Sequence, residues 1–168
     1  MRNYNTELKD NKGRRYFYGF DYDVMHPLML KTFTPHFEEG NLLELGSYKG
    51  NFTERLLPHF DDITCVEASS DAVKVAREKF QDKVNILHST FETLSLTGTF
   101  DNIVLTHVLE HLDDTIGVLK RVNNEWLSDD GRFFLVCPNA NAASRRIAVK
   151  MGLISHNAAV TPAEAEHG

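Results

Sequence analysis

Short apolar runs alternate with longer mixed segments along most of this chain, and that alternation carries the first structural information. From Gly40 onward, LLEL (42–45) is the first run, and FTERLLPHF (52–60) follows as a helix stopped near Pro58. ITCVEAS (63–69) is the second strand. Ser70 or Asp71 is expected to cap the next helix, DAVKVAREKF, which places Val73, Ala76 and Phe80 on one face. VNILHS (84–89) is the third strand, followed by a polar stretch with little helical signal. FDNIVLTHV (100–108) is nearly continuous in apolar residues, as a strand buried on both faces should be. A helix through TIGVLKRVNNEWL comes next, then a turn at Asp129-Asp130-Gly131 into a fifth strand, RFFLVCP. Repeated strand–helix–strand order with apolar strands predicts an α/β fold with a doubly wound, mostly parallel sheet.

The flanks are less regular. Residues 1–15 are polar without an apolar period, and a frayed arm is expected there. The segment YFYGFDYD (16–23) is strongly aromatic, either a flap packed on the domain or a lid over its pocket. Pro27 is placed as the first residue of a helix whose core stripe is Met25, Leu28, Met29 and Phe33. Beyond Pro138, NANAASRRIAVKMGLI reads as a further helix with Arg145, Arg146 and Lys150 on its polar side, and 155–168 reads as loop. With no repeat, low-complexity tract or linker, the 168 residues form one domain, in which 1–38 is an N-terminal arm or lid and helix.

Composition narrows the function classes. Hydrophobic residues make up 42% and charged residues 25%, ordinary values for a globular protein. A net charge of −6 argues against a general nucleic-acid or membrane-surface binder. The longest uncharged apolar stretch, 103–109, is too short to span a bilayer, and the polar start does not read as a signal peptide. The two cysteines, Cys65 and Cys137, lie in apolar runs and read as buried reduced thiols, which fits a cytoplasmic location.

Candidate chemistry concentrates where the first strand breaks, at NLLELGSYKG (41–50). A strand that breaks at glycine into a helix lets bare backbone approach a ligand. A dinucleotide fingerprint would need glycines at 48 and 51, which are Tyr48 and Asn51, and a P-loop sequence is absent. An NAD-dependent redox protein is therefore disfavoured. The spacing present is Glu44-x-Gly46-x-x-x-Gly50, followed by Glu67 at the end of the second strand. A carboxylate roughly 20 residues past such a turn bonds ribose hydroxyls, so the cradle suits an adenosine ligand without a pyrophosphate. Taken singly, the glycines are an ordinary turn and Glu67 a solvated strand end.

On these residues the chain resembles the class I S-adenosylmethionine-dependent methyltransferases over about residues 40–140. LLELGSYKG is similar to their first motif, an acidic residue followed by x-Gly-x-Gly-x-Gly. VEAS is similar to the second, and FDNIVLTHVLEHLDD to the fourth-strand motif, where many small-molecule methyltransferases carry Leu-Glu-His. The resemblance implies S-adenosyl-L-methionine as cofactor, held by Glu44, Gly46, Ser47, Tyr48, Gly50, Glu67, Ala68, Thr90, Phe91 and Thr106. It further implies a seven-stranded sheet, of which the last, antiparallel pair is not found in this chain. Two departures stand out. Tyr48 replaces the middle glycine, and the third strand ends in Ser89 and Thr90 instead of an acid, leaving adenine to the Thr90 and Phe91 backbone with the Phe91 ring nearby.

His107-Val108-Leu109-Glu110-His111 also spells H-x-x-E-H, an inverted zinc-protease signature. That chemistry needs both histidines on one helix, whereas His107 ends a strand, and no third ligand is evident apart from Glu164 and Glu166. HVLEH is similar, too, to the E-x-x-E-H cation site of small-RNA 2′-O-methyltransferases; no metal is assigned. His111 is the first candidate base and His107 the second, because imidazole titrates near neutral pH. The expected reaction is methyl transfer to a small-molecule oxygen or nitrogen nucleophile, with a non-catalytic S-adenosylmethionine or S-adenosylhomocysteine binder as the alternative.

Overall fold

A computed structural model describes residues 4–7 and 21–160. Most of the expected arm and aromatic segment, including 16–20, lies outside the described residues, as do Glu164 and Glu166. Five parallel strands form one sheet in the order β3-β2-β1-β4-β5. They are β1 (Leu42–Leu45), β2 (Ile63–Glu67), β3 (Asn85–His88), β4 (Phe100–Thr106) and β5 (Leu127–Val136). The helices are α1 (His26–Phe33), α2 (Thr53–Leu56), α3 (Ser70–Phe80), α4 (Thr115–Arg121) and α5 (Ala143–Lys150), and further short helical turns span Tyr4–Glu7, Asp21–Met25, Thr34–His36, Gln81–Lys83, Leu109–His111 and Val122–Trp126. No sixth or seventh strand follows among the described residues.

The central strand shows why the sheet is wound on both faces. All four residues of β1 are buried, and they pair with β2 on one side and β4 on the other. Successive side chains of a strand point to opposite faces, so one short strand must serve two cores. Leu42 joins Met29 and Phe33 of α1, Leu56 of α2, and Val73, Ala76 and Phe80 of α3 in the first core. Leu43 and Leu45 join Val118, Val122 and Trp126 in the second, beneath α4. Truncating any of these fully enclosed leucines to alanine should cost about 2–5 kcal/mol.

Several boundaries differ from the sequence reading, each for a local reason. The helix expected over 52–60 closes after one turn, Thr53–Leu56, ahead of Pro58. The cap of α3 is Ser69, one residue before the expected pair, whose side chain accepts from the Ala72 N–H at 3.2 Å. The α4 helix relaxes at Val122–Trp126 into a wider turn that still buries Val122 and Trp126. The expected turn before the fifth strand becomes an excursion within β5. Phe100 pairs with Leu127 but Asn102 with Arg132, so residues 128–131 bulge outward.

In α1, Pro27 is the second helical residue because a preceding helical turn, Asp21–Met25, runs directly into it. Leu28 is exposed, and His26 takes a buried position in the stripe instead. Arg145 is not on the polar face of α5: its guanidinium bonds the Asn157 and Ala159 carbonyls, folding the following loop back on the helix. Cys137 is exposed because it lies just past the end of β5, while Cys65 is enclosed in β2; both are free thiols. No described helix is long and apolar enough to cross a membrane.

Candidate active site

Strand order reverses between β1 and β4, and open α/β sheets bind ligands at the carboxyl ends of the strands at such a point. The glycine turn lies there. Gly46 (φ +81°) and Gly50 (φ +77°) take backbone conformations that favour glycine. Each also meets its neighbours too closely for a side chain. An added Cβ would lie 2.4 Å from a Val108 methyl at Gly46 and 2.1 Å from the Phe80 ring at Gly50. The Gly46 N–H bonds the Val66 carbonyl at 2.8 Å, which ties the turn to β2.

Tyr48, the residue that departs from the family's glycine pattern, keeps a positive φ of 50°. Its backbone N–H donates to Glu67 Oε2 at 2.8 Å, and the Ser69 N–H donates to Glu67 Oε1 at 2.7 Å. Glu67, only 6% exposed, is thus held by two main-chain donors from two segments. Burial raises its pKa, and the backbone N–H groups of Ser69, Tyr48 and Ala68 oppose that rise. Ala68 follows, with its carbonyl 3.1 Å from His88 Nε2.

Glu44 serves a different place. Its side chain is buried below the turn, where Oε2 accepts from the Thr53 hydroxyl at 2.5 Å and from the Cys65 thiol at 3.4 Å. Burial raises its pKa to about 7, against the lowering effect of the Thr53 and Cys65 bonds, with the Glu67 charge adding to the rise. The same burial, together with the Glu44 charge, pushes the Cys65 thiol well up.

Beyond β3, Thr90 and Phe91 begin the segment expected at adenine. The Thr90 hydroxyl bonds that of Thr93 at 3.0 Å, whereas the Phe91 ring turns inward into the second core. This segment is pinned by Arg121 of α4, which donates to the carbonyls of Phe91 and Leu94, pairs with Glu125 at 2.8 Å, and stacks 4.7 Å from the Trp126 ring centroid. The sequence carries no signal for Arg121, since one arginine in an amphipathic helix looks like any other solvated charge. The same holds for Asn102, fully buried in β4, whose amide clamps the Glu38 backbone at both N–H and carbonyl.

At the end of β4, Thr106 is half-buried and pairs with Val136. His107 turns out of the strand at φ +55°, with Nδ1 3.8 Å from a Glu110 oxygen. His111 is exposed at the end of the short turn Leu109–His111. The two histidines therefore do not share one helical face, and the protease geometry is not formed. No cluster of three or more His, Cys, Asp or Glu side chains able to hold a metal is found among the described residues.

A parallel sheet with a glycine turn, an oriented carboxylate and a histidine at its switch point defines a doubly wound α/β protein with a ligand cradle at the carboxyl ends of its strands. A family profile described as a methyltransferase domain matches residues 16–162, and the chain belongs to that family. An uncharacterized methyltransferase of Bacillus mycoides (strain KBAB4) is 29% identical over 92 residues, which are 55% of this chain and 41% of that protein. Among solved structures, the plantazolicin methyltransferase BpumL, in complex with a triazolic desmethylPZN analog and SAH, superposes with TM-score 0.71 at 17% identity, covering 96% of this chain and 64% of BpumL. Coclaurine N-methyltransferase bound to N-methylheliamine and SAH superposes with TM-score 0.58 at 23% identity, covering 68% and 35%. These likenesses establish the Rossmann-like methyltransferase fold, as the three sequence motifs imply. The chain spans less than half the length of the curated relative.

The residues present fit S-adenosylmethionine. Ser47 Oγ in the glycine turn is buried and lies against the Cys65 thiol, on the inner side of the turn. Glu67 offers acceptors where ribose hydroxyls would be met.

Proposed function

We propose that this chain is the S-adenosylmethionine-binding, catalytic domain of a methyltransferase that acts on an oxygen or nitrogen of a small-molecule acceptor. The observation that carries the reading is Glu67, oriented by Tyr48 and Ser69 N–H groups at the rim of the glycine turn. Gly46, Ser47, Tyr48 and Gly50 would hold the methionine side, Glu67 and Ala68 the ribose, and Thr90 with the Phe91 backbone the adenine edge; Thr106 borders the reacting end. Glu44 supports the turn from beneath.

When bound, the cofactor supplies a methyl group already activated on a sulfonium, so positioning supplies much of the rate. Of the two candidate bases, His107 is the one that leaves β4 at the switch point, with His111 farther along an exposed turn. The net charge of −6 favours a small acceptor over a nucleic acid. The whole of 1–168 is taken as one domain, and its free thiols fit a cytoplasmic setting.

Calorimetry with S-adenosylmethionine, S-adenosylhomocysteine, NAD and zinc tests the reading. Binding of the adenosyl compounds and not of NAD is expected; binding of NAD alone overturns it. Labelled methyl appearing on a compound of a cell extract separates the enzyme from a non-catalytic binder.

A further inference from the structure

The short turn Tyr4–Glu7 packs against α3, on the side of the cradle where ribose is expected. Its Asn5 bonds a segment that lies 64 residues further along the chain. Asn5 Oδ1 accepts from the Ser69 hydroxyl at 2.8 Å and from the Asp71 N–H at 3.4 Å. Asn5 Nδ2 donates to the Ser70 hydroxyl at 3.0 Å. One amide thus holds three consecutive residues.

Ser69 is the pivot among them. Its N–H donates to Glu67 Oε1 at 2.7 Å, and its hydroxyl oxygen accepts from the Ala72 N–H at 3.2 Å. Its backbone therefore faces the carboxylate while its side chain caps α3. A serine hydroxyl has a single hydrogen to donate, and Asn5 takes it. Capping alone does not call for Asn5: Ser69 caps α3 through Ala72 by itself, and water can meet the other N–H groups at a helix start. What Asn5 adds is a fixed place for Ser69.

We propose that Asn5 is a positioning residue of the cofactor site: it locks Ser69, and through the Ser69 N–H it holds the Glu67 carboxylate toward the ribose hydroxyls. This rests on the methyltransferase reading above. The other donor to Glu67, the Tyr48 N–H, belongs to the glycine turn, which Gly46 ties to β2 through the Val66 carbonyl. The Ser69 N–H belongs to the link between β2 and α3, and Asn5 ties that link from outside. A hydrogen bond to a ribose hydroxyl is directional, so a displaced carboxylate loses it. The adenine and methionine ends, expected on other segments, keep their contacts. The loss of Asn5 should therefore be felt at the ribose hydroxyls.

The test compares S-adenosylhomocysteine with its 2′-deoxy and 3′-deoxy forms by calorimetry, on the full chain and on Asn5→Ala, Ser69→Ala and the double variant. In the unaltered chain, at least one deoxy form should bind tenfold or more weaker, the loss of a bond to a charged group. Asn5→Ala should shrink that deoxy penalty at least threefold. The double variant should match Ser69→Ala alone, because two residues on one route do not add. An unchanged penalty, including an equal weakening of every ligand, overturns the proposal and leaves the methyltransferase reading in place. Additive effects in the double variant overturn it too, as does the absence of any deoxy penalty in the unaltered chain. If no adenosyl compound binds the unaltered chain, the methyltransferase reading fails and takes the proposal with it. Thermal melts establish that the variants fold.

Discussion

The Tyr48 N–H donates to the Glu67 carboxylate across 2.8 Å, joining the turn after β1 to the end of β2. The residue that breaks the family's glycine pattern therefore keeps the backbone geometry that glycine would provide. Its φ of 50° directs the N–H at Glu67, and the carboxylate is preset before any ligand arrives.

Glu67→Gln should be costly on two counts. Either orientation of the amide sets a donor against the N–H of Tyr48 or of Ser69, which removes one bond and leaves that donor unsatisfied. A stability loss of about 1–3 kcal/mol by denaturant unfolding is expected, with S-adenosylhomocysteine affinity down at least tenfold by calorimetry.

Tyr48→Gly should be mild, because the bond to Glu67 is made by the main chain. Relief of a left-handed conformation and the added chain entropy of glycine are each about 1 kcal/mol and opposite in sign. Gly50→Ala should instead destabilise by more than about 2 kcal/mol, since its Cβ would lie 2.1 Å from the Phe80 ring at φ +77°. Paired thermal melts distinguish the two positions.

Glu44 predicts a pH dependence with a definite sign. Its folded pKa of about 7 exceeds the ordinary 4.5, so the folded state holds the proton more tightly than the unfolded state. Its contribution is complete below pH 4.5 and is lost as pH rises to 7, by up to roughly 3 kcal/mol. Glu44→Gln should flatten this slope and be relatively more stable at pH 8 than at pH 5, as denaturant curves at the two pH values would reveal.

Arg121→Ala should loosen the segment 91–94, since it bonds the carbonyls of Phe91 and Leu94. A loss of about 1–3 kcal/mol is expected, along with faster hydrogen exchange confined to residues 89–96 and weaker binding of adenosine compounds.

His107 and His111 can be separated by labelled methyl transfer into an extract. His107→Ala should lower transfer at least tenfold and His111→Ala less than threefold, in keeping with a base contribution of about 10²–10⁴ where one operates. Equal transfer by both variants and the unaltered chain at every pH would remove the base role from each.

Much of this architecture was legible in order of residues. Apolar runs such as LLEL and FDNIVLT mark strands because a parallel strand covered on both faces has few polar positions. Gly46, Gly50 and Glu67 mark the turn after β1 and the carboxylate that faces it, because spacing along the chain reflects a local strand–turn–helix geometry. The same logic misplaced the α3 cap by one residue, since Ser69, Ser70 and Asp71 are all competent caps.

What the chain alone determined, then, is whatever depends on neighbours in sequence: the five strands, the buried face of α3 and the glycine turn. Tertiary structure decided the rest, because it depends on contacts between distant segments. It buried His26 where Leu28 was expected, turned Arg145 onto the 157–159 loop, and set Arg121 under the Phe91 segment. It also gave Tyr48 its partner in Glu67, 19 residues away. A side chain's periodicity predicts which way it points, but not what another part of the fold will place in front of it.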